Sequence, residues 1–140
     1  MTCTALGACQ LFPDVPPPDP HAVLAQIVTE RAEQHAVPPQ LAKAVIQHES
    51  GWRPDIRGAA GEYGLMQIKC PTARGEGFRG SCRELFDPTT NAEYGVRYLR
   101  RALELTNWDW CGATTLYNRG LRSTRTHSQY CNAVLAKVAK

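Results

Sequence analysis

Apolar residues return at helical spacing in several separate stretches of the chain, each bounded by residues that start or stop helices. The first holds Leu24, Ile27, Val28 and Arg31, with Asp19 as N-cap and Pro20 in the first turn, which predicts a helix over His21–His35 that ends before Pro38. The second, Pro39–Glu49, places Leu41, Val45 and Glu49 four residues apart, so a carboxylate shares the stripe of the apolar side chains. Gly51 and Pro54 stop that helix. Asp87-Pro88-Thr89-Thr90-Asn91 offers turn and capping residues for a long helix to Leu105, with Val96, Leu99 and Leu103 on one face, and Asn91 reads as a helix cap rather than a ligand. Asp109 caps a segment reaching Tyr117 with Gly120 as its stop, and a last helix presents Tyr130, Val134 and Val138 at four-residue spacing.

Between the helical stretches, Arg57–Gly64 is a glycine-rich turn region with room for a short hairpin, and Leu65–Ala73 returns to strand or a short helix. The pattern predicts an α+β, mainly α, single domain. The proline-dense stretch 12–20, FPDVPPPDP, lacks backbone donors and runs extended. It divides a Cys- and Pro-containing N-terminal segment, 1–20, from the domain, 21–140.

Composition adds little to the fold and more to the compartment. A chain of 140 residues suffices for one core, and no apolar run is long enough to span a bilayer. The net charge of +3 suits an anionic polymer, but the basic residues are spread along the chain, which reads as solvated surface and gives no reason to expect a nucleic-acid partner. Six cysteines, an even number, point to an oxidising compartment and to a protein that is periplasmic or otherwise exported. Their scattered spacing argues against zinc. Cys70 and Cys82 flank the glycine-rich RGEGFRG and are expected to pair, with Cys111–Cys131 second, which leaves Cys3 with Cys9. Met1–Cys9 has neither the basic region nor the apolar stretch of a signal peptide, so the chain reads as a mature form. Leu6-Gly7-Ala8-Cys9 has the look of a lipoprotein processing box but lacks the apolar segment that precedes one.

The ionisable residue on an apolar stripe is the candidate for chemistry. Burial raises a carboxyl group's pKa and keeps it protonated, the condition a general acid needs, although the spacing equally allows Glu49 to sit at the helix end and reach solvent.

Four blocks bear on that choice: Glu49-Ser50-Gly51-Trp52; Gly61-Glu62-Tyr63-Gly64-Leu65-Met66-Gln67-Ile68 with Pro71-Thr72-Ala73; Asn91-Ala92-Glu93-Tyr94-Gly95-Val96-Arg97-Tyr98-Leu99; and Leu116-Tyr117-Asn118-Arg119-Gly120. In order and spacing they resemble soluble-type lytic transglycosylase domains of the goose-lysozyme-like type. The resemblance runs from Val37 to the end of the chain. It implies a lysozyme-like fold with a substrate groove, Glu49 as the catalytic acid/base, Gln67 and Met66 at the saccharide, and Tyr117 and Asn118 holding substrate and orienting the acid. Met66 as simple core and Tyr117 as an interior aromatic remain open from the residues alone.

Three departures stand out. Many members have a serine after the Glu-Ser block, where this chain reads Arg57-Gly58-Ala59-Ala60. Many have an acidic residue before the final tyrosine-containing helix, where this chain has Thr126-His127, and Glu62 stands where relatives are often small.

The implied reaction cleaves the β-1,4 bond from N-acetylmuramic acid to N-acetylglucosamine in peptidoglycan and leaves 1,6-anhydro ends, without metal or organic cofactor. Two alternatives keep the fold: a lysozyme-type hydrolase using Glu62 as its second carboxylate, and a peptidoglycan-binding protein without turnover. The chain is expected to act as a monomer on glycan strands. Its small size is analogous to transglycosylases that serve a secretion, conjugation or phage assembly.

Overall fold

The computed structural model describes residues 15–138. The lipoprotein-like box and the expected Cys3–Cys9 pair lie outside them. Helices α1 (Pro20–Gln34) and α2 (Pro39–Glu49) are followed by strands β1 (Glu62–Tyr63) and β2 (Ile68–Lys69), then α3 (Cys70–Gly75), a 3-10 turn (Cys82–Phe86), α4 (Pro88–Leu105), α5 (Trp110–Arg119) and α6 (Gln129–Leu135).

Helix starts follow the capping chemistry of the sequence. Asp19 accepts from the His21 N–H ahead of Pro20, Asp87 accepts from the Thr90 N–H ahead of Pro88, and Asp109 accepts from the N–H groups of Cys111 and Gly112. Asn91 is no cap. It lies inside α4, fully buried, because Asp87 takes the capping role one turn earlier. Helix α6 ends at Leu135, so Val138 of the expected apolar series falls beyond it and packs from the following turn.

One core runs through all the long helices. Leu41, Val45 and Ile46 of α2, Val96, Leu99 and Leu103 of α4, Val28 of α1 and Val134 of α6 are all fully buried in one cluster. The central α4 touches both α1 and α5, and α6 closes the bundle on α5 and α2. A second, smaller cluster of Tyr63, Ile68, Phe78 and Leu85 sits beneath the hairpin. There β1 pairs antiparallel with β2, Glu62 opposite Lys69 and Tyr63 opposite Ile68.

Two disulfides staple this frame. Cys70–Cys82 closes the loop after β2, and Cys111–Cys131 joins α5 to α6, with Cα–Cα distances of 5.6 and 5.0 Å. Both agree with the pairing expected from the sequence. Glu93 braces α4 against α1 by pairing with Arg31 at 3.7 Å and with His35, at the end of α1, at 2.9 Å, while Arg97 Nε, four residues on in α4, donates to it at 2.8 Å.

Candidate active site

Helix α2 stops at Glu49 because the next residues turn away from the helix. Ser50 directs both its N–H and its hydroxyl to the Ile46 carbonyl, and Gly51 and Trp52 take left-handed φ values of 57° and 66°. The apolar face of α2 is thereby spent in the core, while its last side chain reaches a cavity of about 490 Å³ shared with Gln67, Tyr98, Tyr117 and Asn118. Tyr130 Oη, from α6, donates to Glu49 Oε1 at 2.6 Å. Burial raises the Glu49 pKa above the ordinary carboxyl value; the Tyr130 hydrogen bond opposes that rise, and the charge of Glu62 adds to it. The Tyr130 phenol is itself pushed up by burial and by Glu49, so it remains a proton donor across ordinary pH.

The opposite wall is the turn between β1 and β2, and it is built from the inside. Asn91 Nδ2 donates to the carbonyls of Tyr63 at 2.7 Å and Leu85 at 2.8 Å, while its Oδ1 accepts from the Met66 N–H at 2.8 Å. Gly64 fits because it has no side chain: at φ 65° a Cβ there would lie 2.7 Å from Asn91 Nδ2 and 3.0 Å from the Leu85 carbonyl. Tyr117 Oη donates to the Met66 carbonyl at 2.7 Å. The turn is thus gripped from α4 and from α5.

Glu49, Gln67, Tyr117 and Asn118 all line one cavity, as does Glu62. Met66 does not. It is 0% exposed and packs under Gly95, so it shapes the turn from beneath instead of meeting a ligand. Tyr117 is only 8% exposed and its hydroxyl is committed to Met66, so the hydroxyl that bonds Glu49 is Tyr130's. Asn118 is exposed at the rim. Sequence reasoning missed Tyr130 and Asn91 as site-builders. Tyr130 read as one member of an apolar stripe, with no signal for a partner 81 residues away.

Among the described residues, Cys111, His127 and Cys131 bring metal-ligand atoms within 4.8 Å of one another. The disulfide commits both sulfurs to each other.

A mainly helical domain with a small hairpin, and with a carboxylate facing a groove between them, is of the lysozyme-like class. The Transglycosylase SLT domain profile matches residues 26–138, and the chain belongs to that family. It is 34% identical over 109 residues to an endo-type membrane-bound lytic murein transglycosylase A of Cronobacter sakazakii, covering 67% of this chain and 54% of that one. It is 32% identical over 80 residues to the membrane-bound lytic murein transglycosylase E of Buchnera aphidicola, covering 52% of this chain and 36% of that one. The crystal structure of the 70 kDa soluble lytic transglycosylase of Escherichia coli superposes with a TM-score of 0.67 at 24% identity, covering 81% of this chain and 19% of that one. The fold is therefore the lysozyme-like one of these enzymes, and this chain spans only part of each relative's length.

Proposed function

We propose that the protein is a peptidoglycan lytic transglycosylase in which Glu49 alone serves as acid and then as base. The observation that carries the reading is the state of Glu49: a half-buried carboxyl of raised pKa, one oxygen held by Tyr130, facing a groove. Family membership and the lytic murein transglycosylases among its relatives support peptidoglycan as the substrate.

Protonated Glu49 donates to the glycosidic oxygen as the bond to C1 of N-acetylmuramic acid breaks, releasing N-acetylglucosamine as an alcohol. The sugar's own acetamido oxygen closes on C1, so no enzyme nucleophile is needed. Glu49, now ionised and stabilised by the Tyr130 hydroxyl, takes the C6-hydroxyl proton. O6 then attacks C1, displaces the acetamido oxygen and forms the 1,6-anhydro ring without water. Tyr130 suits both halves, since it donates to Glu49 whether that carboxyl carries its proton on the other oxygen or has lost it.

The two disulfides support an exported, periplasmic setting, and none of the described helices is long and apolar enough to cross a membrane. Glu62 at the same cavity favours hydrolysis as the one competing reading. Digestion of purified peptidoglycan separates the two. Products ending in 1,6-anhydro-N-acetylmuramic acid are expected by mass spectrometry, and reducing ends alone would replace this assignment with a muramidase.

A further inference from the structure

Gly58 lies in the turn before β1 and lines the cavity, and the space above its Cα is already filled. A Cβ built there would overlap the carboxylate of Glu62 and come within 2.7 Å of Gln67 Oε1. Two acceptors, one from β1 and one from the turn that follows it, thus converge on one point beside the groove. Neither is neutralised by its surroundings. Gln67 spends its amide nitrogen on the carbonyls of Gly64, at 2.9 Å, and Ile56, at 3.3 Å, which leaves only its oxygen free. Gln67 also holds a left-handed φ of 47°, a conformation that costs energy and is kept here by those bonds and the turn around them.

Glu62 receives one backbone donor, Ala60 N–H at 3.2 Å, and takes part in no ion pair among the described residues. The nearest arginine in sequence, Arg57, lays its guanidinium over the Tyr63 ring at 4.0 Å. Lys69 stands opposite Glu62 in the strand register and lines the same cavity without bonding it. Acceptors placed together with no donor between them repel one another, and a donor-bearing ligand relieves that repulsion.

We propose that Glu62 is a substrate-contacting residue, and that its carboxylate and Gln67 Oε1, converging above Gly58, form a two-acceptor subsite for adjacent donors on one sugar ring of the glycan. Adjacent hydroxyls, or an acetamido N–H with its neighbouring hydroxyl, present two donors on one edge of the ring. The assignment rests on the glycan-cleaving reading above. It gives Gly58 a role of its own: any side chain there expels the carboxylate from the subsite.

The test measures binding in a Glu49→Gln background, where the ligand survives, with tetra-N-acetylchitotetraose as probe and calorimetry as readout. Adding Glu62→Gln, which keeps shape and turns one acceptor into a donor, is expected to weaken binding about 10-fold or more, as for loss of a charged hydrogen bond. Adding Gly58→Ala is expected to do the same with Glu62 intact, and Gly58→Ala with Glu62→Ala to cost no more than either alone. In the catalytically intact chain, Glu62→Gln is expected to raise KM more than it lowers kcat, a split that a merely structural role would not produce. Affinity within twofold of the reference for Glu62→Gln, with melting unchanged, overturns the subsite. That outcome is independent of which product the wild type releases, so the subsite and the transglycosylase reading fail separately.

Discussion

Tyr130 Oη donates to Glu49 Oε1 at 2.6 Å and so ties the last helix of the domain to the final residue of α2. The hydrogen bond fixes the direction of the carboxyl group and also limits how far burial raises its pKa. Tyr130→Phe removes both effects while keeping the ring against His48, with which it packs edge-on at 4.8 Å. The variant's Glu49 pKa should rise, moving the alkaline limb of kcat/KM to higher pH. The rate on the plateau should fall about 10-fold as the acid loses its orientation. A pH–rate profile of both proteins reads the two effects at once; an unmoved limb would show that the hydroxyl does not act on Glu49.

The Cys111–Cys131 disulfide ends one residue from Tyr130, whereas Cys70–Cys82 closes the segment that follows the hairpin. Each closes a short loop, worth roughly 3 kcal/mol. Replacing either pair with serine should therefore lower the melting temperature, but the Cys111/Cys131 variant should lose more activity at a temperature where both remain folded. Thermal melts alongside turnover on peptidoglycan make the comparison. Equal activity losses would mean that α6 keeps Tyr130 in place without its staple.

Asn91 makes three hydrogen bonds from a fully buried position, two as donor and one as acceptor. Asn91→Ala strands two carbonyls and one N–H in the interior, at about 1–3 kcal/mol for each group left unpaired and unrelaxed. The expected result is a large drop in stability, together with loss of activity in whatever fraction stays folded, because the Met66–Gln67 turn loses its grip on α4. Denaturant unfolding monitored by circular dichroism checks the first part. A variant as stable as wild type would mean that water replaces the amide.

The helices were legible in the sequence because their determinants are local: Asp19-Pro20, Asp87-Pro88 and Asp109 each cap the helix that follows them, and Leu41, Val45 and Glu49 trace the stripe of α2. Glu49 was legible as a polar residue on that stripe. The motif blocks also made Glu62, Gln67, Tyr117 and Asn118 legible as neighbours in its cavity, but not the hydroxyl that bonds it, since Tyr130 reaches it from 81 residues away and periodicity carries no information about such a contact. Met66 shows the reverse limit. Its motif resembles a saccharide-binding one, but its side chain is consumed by packing under Gly95.

Glu49→Gln separates the chemistry from the fold. Glutamine keeps the shape and still accepts from Tyr130, but it has no proton to give to the leaving oxygen and cannot take one from the C6 hydroxyl. Turnover should fall by roughly 10²- to 10⁴-fold, the range for losing a general acid/base. Stability should move the other way, with a pH dependence whose sign is fixed. The folded pKa of Glu49 lies above its unfolded value, chiefly through burial, so the native state favours the protonated form. That preference is fully satisfied below the unfolded pKa, and its contribution is lost as pH rises through the folded one. At neutral pH the wild type therefore bears the cost of a half-buried charge that the glutamine variant escapes, and the variant should melt higher. Below the ordinary glutamate pKa of about 4.3 the wild-type carboxyl is neutral in both states and the difference should vanish. Melting both proteins from pH 4 to pH 8 tests this. A variant that is less stable than wild type at neutral pH would mean that the ionised carboxylate is held by partners stronger than the Tyr130 hydroxyl, and Glu49 would then lack the protonated state that its role as acid requires.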